Sequence, residues 1–356
     1  MLIFSGITAF ASVTIRSASC VDNSSMGSIF FPRASPLFLI RSLFFGFCRY
    51  NYSMYDLIKK EASSCGFAEV FFLKPLRLDA WHTRAAHLGV GASLRFDVPA
   101  AYPGASCILL LVYAYAPFPA GERLSAYYLA SQRGYLASQA LVKALCASGI
   151  PCEIAAVPAR ALALANGVGV AGKNGLLRIG AFGSRFALYT LATSACMPRI
   201  EVPATASCPT QCDACMRACP MGAITPEAID AAHCMRYFMD GAEYPFSVYQ
   251  AQSTHMGCEV CQAVCPQNAQ LAKRIPGEAE QAAFALPHLI AGDAAAARSL
   301  VGRNLTGNGK LTAEAICFAA RAGLHEAEIR TALTASPFPA VKRAAAWALE
   351  QYFIKK

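Results

Sequence analysis

The sequence predicts an α/β protein: an α/β sandwich, then a compact cysteine-rich domain, then an all-α tail. Three observations carry this. Helical and strand patterns alternate between Met54 and Leu191. Eight cysteines crowd between Cys208 and Cys265. After Glu278 every periodic segment is helical. At 356 residues, 55% hydrophobic and 15% charged, the chain is long enough for two or three buried cores.

Residues 1–53 differ from the rest. Two apolar stretches, Met1–Val13 and Pro36–Cys48, stop short of a membrane helix, and no basic segment precedes the first. The expectation is a disordered leader or a start placed too early. Arg16, Arg33, Arg41 and Arg49 against Asp22 also supply three of the nine net positive charges. The remainder is mildly basic, which permits a nucleic-acid partner without requiring one.

From Met54 the elements follow in order. Tyr55–Cys65 reads as a helix closed by Gly66. Phe67–Leu73 reads as an aromatic-rich strand and Asp79–Leu88 as a helix capped by Asp79. Ser106–Tyr115 is nearly all apolar, as a strand covered on both faces would be. Leu124–Ala147 is a long helix, Glu153–Val157 a short strand and Ala159–Asn166 a helix. Leu176–Ile179 and Arg185–Leu191 read as strands about a Gly180–Gly183 turn. These boundaries give an α/β domain over 54–200, a cysteine domain over 201–272 and a helical domain over 278–356, with Lys273–Gly277 as linker.

The cysteines carry the chemistry. Cys208-Pro-Thr-Gln-Cys212-Asp-Ala-Cys215-Met-Arg-Ala-Cys219-Pro220 is followed by Cys234 and by Cys258-Glu-Val-Cys261-Gln-Ala-Val-Cys265-Pro266. Two cysteines separated by two residues can share one metal, and a following x3-Cys-Pro sends the last sulfur to another cluster. Two [4Fe-4S] clusters are therefore expected in a ferredoxin-like domain. One is assigned to Cys208, Cys212, Cys215 and Cys265, the other to Cys219, Cys234, Cys258 and Cys261. Zinc is the rival for any single Cys-x2-Cys pair. Sixteen cysteines, half in this pattern, point to a reducing compartment.

Gly167-Val-Gly169-Val-Ala-Gly172 matches a dinucleotide fingerprint, but a helix precedes it and a strand follows, the reverse of what that site needs. A P-loop fails as well, since Asn174 follows Lys173 where Ser or Thr must bind Mg²⁺. Two readings stand: a glycine turn between helix and strand, or glycines that let backbone approach a large flat ligand.

Asn166-Gly-Val-Gly-Val-Ala-Gly-Lys-Asn-Gly-Leu-Leu177 resembles the AGLGWxGKNxLL segment of epoxyqueuosine reductases. The cysteine block resembles that family's double-cluster domain, with Cys234 before Arg-Tyr and Gly257-Cys-Glu-Val-Cys-Gln-Ala-Val-Cys-Pro-Gln-Asn268. Arg95-Phe-Asp97 before Tyr102-Pro-Gly104 resembles the family's approach to a core strand. The resemblance implies a cobalamin-binding α/β domain, with Gly167, Gly169, Gly172, Lys173 and Asn174 at the cofactor. It implies reduction of epoxyqueuosine to queuosine in tRNA, electrons from a low-potential donor such as flavodoxin or ferredoxin, and a cytoplasmic monomer. Glu153 stands where the family has its general acid, an aspartate; its plain reading is a charge at a strand end. A further departure is the three-residue gap between Cys208 and Cys212, which leaves Cys196 as a substitute ligand. The tail resembles HEAT-type repeats that help dock tRNA, with Arg303, Lys310, Lys342, Arg343, Lys355 and Lys356 facing phosphates. Two alternatives remain open: a two-cluster electron-transfer protein, or a corrinoid-binding paralogue without this activity. His233 and His255, near cluster cysteines, read as solvent-facing.

Overall fold

Four strands form one antiparallel sheet with helices on both faces. The structure is a computed structural model describing residues 54–195, 205–240 and 244–354. The leader reading, Cys196, Lys355 and Lys356 lie outside the described residues.

In chain order the elements are α1 (54–64), β1 (Glu69–Leu73), α2 (Asp79–His87), α3 (Val98–Ala101), β2 (Cys107–Ala114), α4 (Ala126–Ala147) and β3 (Cys152–Ile154). Then come α5 (Ala159–Ala165), the short strands β4 (Val170–Ala171) and β5 (Leu177–Arg178), and β6 (Phe186–Thr193). The sheet order is β1-β2-β6-β3, and β4 pairs with β5 as a separate hairpin. Asp79 stands in the first turn of α2 rather than capping it; Leu78 holds that place.

The central strands explain the layers. On β2, Cys107, Leu109 and Leu111 enter one core, while Ile108, Leu110 and Val112 enter the other. Tyr189 and Leu191 of β6 follow the first, Phe186 and Leu188 the second. This is the two-residue alternation of a strand buried on both faces. The first face takes α1 and α4, the second α2, α3 and α5. Gly134 lets α4 lie close to β6, because a side chain there would collide with the Tyr189 ring.

The cysteine region contributes three short helices, α6 (Ala214–Ala218), α7 (Phe246–Ala251) and α8 (Val260–Ala263). The rest is helical: α9 (Glu278–Ala283), α10 (Leu286–Ile290), α11 (Ala295–Val301), α12 (Arg303–Thr306), α13 (Lys310–Arg321), α14 (Glu326–Ala335) and α15 (Pro339–Tyr352). Between Glu278 and Ile290 the chain forms two helices rather than one, since Pro287 has no N–H to continue the ladder. Helix α13 is the centre of this part, buried from Lys310 to Ala320. The first core runs without a break from Ile58 through α4 to Leu349, so the tail packs onto the α/β part. Lys273–Gly277 is pinned as well: Arg274 N donates to Pro117 O, and its guanidinium pairs with Glu280, which also pairs with Arg133 of α4. No helix among the described residues is long and apolar enough to cross a membrane.

Candidate functional site

The two Cys-x2-Cys-x3-Cys-Pro runs fold alike. Cys215 lies on α6 and Cys219 ends it; Cys261 lies on α8 and Cys265 follows it. Cys219 and Cys265 are both extended, with ψ of 114° and 120°. A proline follows each, and its ring excludes the helical conformation in the preceding residue. Each helix therefore stops, and the last cysteine leaves its own run.

The electrostatic neighbours of the buried thiols fall into two sets. Around Cys215 they are Cys208, Cys265 and Cys212. Around Cys258 they are Cys234 and Cys219, and Cys261 adds Cys258 and, from the other set, Cys215. Cys261, of the second quartet assigned from spacing, thus neighbours Cys215 of the first, so the two groups of cysteines adjoin. Burial pushes the Cys258 thiol up to about 11 and raises Cys215, Cys234 and Cys261 as well. Such thiols stay protonated until a metal displaces the proton. Cys219, Cys234, Cys258 and Cys261 line a recess of about 760 Å³, partly open to solvent, with apolar walls from Tyr127, Ile224 and Ile229. Among the described residues no three or more His, Cys, Asp or Glu are grouped to hold a single metal ion. The donor set, four cysteines at each of two adjoining positions, fits a pair of iron-sulfur clusters.

The glycine segment is the β4–β5 hairpin. Gly169 has φ +72°, and a side chain there would collide with the Arg178 carbonyl across the hairpin. Gly172 is closed off by the Asn174 side chain, whose Oδ1 accepts from Leu176 N. Lys173 Nζ donates to Thr210 O at 2.7 Å and Cys212 O at 2.8 Å. Arg178, on the far strand, is 2% exposed and reaches Cys208 Sγ and Ala206 O. The hairpin thus grips the loop that carries the first cysteine run. Of the five residues assigned to cobalamin, Gly167 alone faces open space.

Glu153 is exposed on the edge strand β3, opposite Ala192. It lines an open recess of about 780 Å³ with Tyr102, Cys152 and Thr193. A second open recess, about 1330 Å³, shares Ala101 and Tyr102 with it and carries His82, Arg95 and Phe96. Buried nearby in sequence, Arg160 lies over the Trp81 ring, and burial lowers its guanidinium to about 10.

Several residues at the clusters escape a reading of the sequence. Glu259, between two cysteines, pairs with buried Arg185 at the start of β6. It also accepts from Ser125 Oγ at 2.6 Å and Tyr127 N at 3.0 Å. Asn268 Oδ1 accepts from Ser184 N, and its Nδ2 donates to Ser184 Oγ and Gln262 O. The Cys-Glu-Val-Cys and Cys-Pro-Gln-Asn spacings mark both positions without indicating their partners. His233 is exposed against Asp230, as expected. His255 is not: it is 1% exposed, between Phe284 and Phe318, and 3.8 Å from Glu314. Of the basic tail residues, Lys310 is buried, so it does not face phosphates, and Arg343 lies over Phe246. Arg303 and Lys342 are exposed.

Comparison with known proteins bears on the same regions. A family model described as "4Fe-4S double cluster binding domain" matches residues 208–268. An epoxyqueuosine reductase of Synechococcus sp. (strain RCC307) is 36% identical over 108 residues, 29% of this chain and 32% of that protein. One from Leadbetterella byssophila is 27% identical over 233 residues, 57% of this chain and 74% of that protein. The chain spans about a third of the length of most curated relatives it matches. Among solved structures, an epoxyqueuosine reductase from Bacillus subtilis, with its catalytic aspartate loop swung out of the active site, superposes with TM-score 0.67. The match covers 84% of this chain and 90% of that one at 21% identity. An epoxyqueuosine reductase with an epoxyqueuosine-modified tRNA-Tyr stem loop matches equally, at 20% identity. The chain therefore has the mixed α/β fold of these reductases and resembles them in sequence.

Proposed function

We propose that this chain is an epoxyqueuosine reductase, removing the epoxide oxygen from the modified nucleoside in tRNA with two electrons and two protons, giving queuosine and water. The observation that carries the reading is the pairing of a double-cluster cysteine block with a hairpin that grips its first loop, on the fold of solved epoxyqueuosine reductases.

We take residues 54–200 as the cofactor-binding part, 201–272 as the cluster part and 278–356 as a HEAT-like part that helps dock tRNA, with exposed Arg303 and Lys342 toward phosphates. The protein is taken as a cytoplasmic monomer whose two clusters would relay electrons one at a time from a donor such as flavodoxin or ferredoxin. Cobalamin, when bound, supplies the reducing centre. Gly167 and the recesses lined by Glu153 and by His82 would receive it. Glu153 would donate one of the two protons that leave in water.

The exposure of Glu153, and the structural roles of Gly169, Gly172, Lys173 and Asn174, favour a second reading: a two-cluster electron-transfer protein without cobalamin. Anaerobic titration of the reconstituted protein with cobalamin separates the two. Saturable binding with a base-off spectrum, and turnover of epoxyqueuosine tRNA abolished by Glu153→Gln, supports the reductase. No binding, with about eight irons per chain as two clusters require, favours electron transfer.

A further inference from the structure

Arg178 is a buried cation without an acidic partner. Its Nη1 lies 3.7 Å from Cys208 Sγ, its Nη2 donates to Ala206 O, and its Nε is buried without a hydrogen-bond acceptor. Among the described residues it forms no ion pair, whereas buried Arg185 has Glu259. An isolated charge in a protein interior is destabilising unless a counter-charge lies beside it. Here the neighbour is a cysteine sulfur. Four thiolates and their cluster carry net negative charge, and one-electron reduction adds another.

We propose that Arg178 is the counter-charge and N–H donor of the cluster held by Cys208, Cys212, Cys215 and Cys265, and that it sets the reduction potential of that cluster. This rests on the reading that the quartet holds [4Fe-4S]. A fixed positive charge and an N–H···S hydrogen bond both favour the more negative, reduced form, so they raise the potential. The same hairpin sets Lys173 on Thr210 and Cys212, so two cations bracket the loop of 206–212. That loop contains the extra residue between Cys208 and Cys212, and the grip from both sides explains how the longer spacing keeps its first sulfur near the other three. Arg178 touches a ligand and not the substrate, which makes it a positioning residue.

The test is a potentiometric titration followed by electron paramagnetic resonance, with iron counted on the same samples. Arg178→Gln removes the charge and, with its shorter side chain, the N–H donor to Cys208 Sγ as well. One cluster should become about tenfold harder to reduce, about 59 mV for a one-electron couple, while the other is unmoved. Arg178→Lys keeps charge without the fork and should fall between. Full iron with both potentials unchanged in Arg178→Gln overturns the proposal. Should Arg178→Gln lose one cluster, Arg178→Lys decides: a lowered potential supports the proposal and a wild-type potential overturns it. Absence of any [4Fe-4S] signal from the reconstituted wild-type chain would instead sink the ligand reading beneath it.

Discussion

Lys173 tells the two readings of the glycine hairpin apart. Its ammonium donates to two backbone carbonyls, Thr210 O and Cys212 O, in the loop that carries Cys208 and Cys212. A hydrogen bond from a charged donor is worth about 1.5–3 kcal/mol when buried. Lys173 is half-buried and Thr210 exposed, so water competes for both ends. About 2 kcal/mol for the pair is a reasonable net value, or roughly a thirtyfold rise in the open population of the loop when the pair is lost. The acceptors are neutral, so salt should change this little, unlike a surface ion pair.

Lys173→Met keeps the stem and removes the donor. Iron release into excess chelator should then become biphasic. One cluster should leave about thirtyfold faster than in the wild type, and the other at its usual rate. Cobalamin affinity should stay within a few-fold. The opposite pattern, unchanged iron release with cobalamin binding lost, would refute this account and return Lys173 to the corrin, where the sequence resemblance put it.

Cys261→Ser should lose about half of the iron, as removing one ligand of one quartet must; full iron in that variant would break the assignment. Asn268→Ala removes three hydrogen bonds from a buried amide that joins Ser184 to Gln262. It should lower stability by about 3 kcal/mol in urea denaturation, and a change under 1 kcal/mol would mean the turn closes without it. Glu280 is held down to about 2 by Arg274, against an ordinary 4.5. A depressed carboxyl stabilises above its unfolded value and loses that contribution as pH falls through the folded one. Wild type should therefore exceed Glu280→Gln by about 3 kcal/mol above pH 5, with the gap closing toward pH 2. Using the difference between the proteins cancels iron loss common to both, and a gap independent of pH would contradict the ion pair.

What could be read from the residues was local. The apolar run of β2 announced a strand covered on both sides, and the cysteine spacing marked the two runs that the fold brings side by side. The sheet order was not legible, because β2 pairs with β6 across two helices, a strand and a hairpin, and no short-range pattern encodes that register. The misread residues fail for the same reason. Ser253-Thr254-His255 looks like a polar loop, yet Glu314, far along the chain, accepts from Met256 N and faces the buried His255. Lys310 looks like a charge at a helix start, but the helix it opens is buried nearly all round. Arg178 reads as the polar end of a short strand until Ala206 and Cys208 arrive beside it.

One short stretch, from Arg178 to Arg185, holds both cysteine runs to the sheet. Arg178 takes Ala206 and Cys208, and Gly180 N donates to Thr205. Ser184 takes Asn268, and Arg185 takes Glu259. The first two contacts fix the approach to the first run; the last two fix the second run just past its end and at its start. Because β6 follows at once and is buried along its whole length, these contacts are anchored to the stiffest strand of the sheet. Electron transfer depends steeply on separation, so two clusters that share one anchor keep their mutual distance when loops elsewhere move. Glu153, by contrast, is exposed on β3, the edge strand paired with β6 opposite Ala192, and none of these four contacts reaches it.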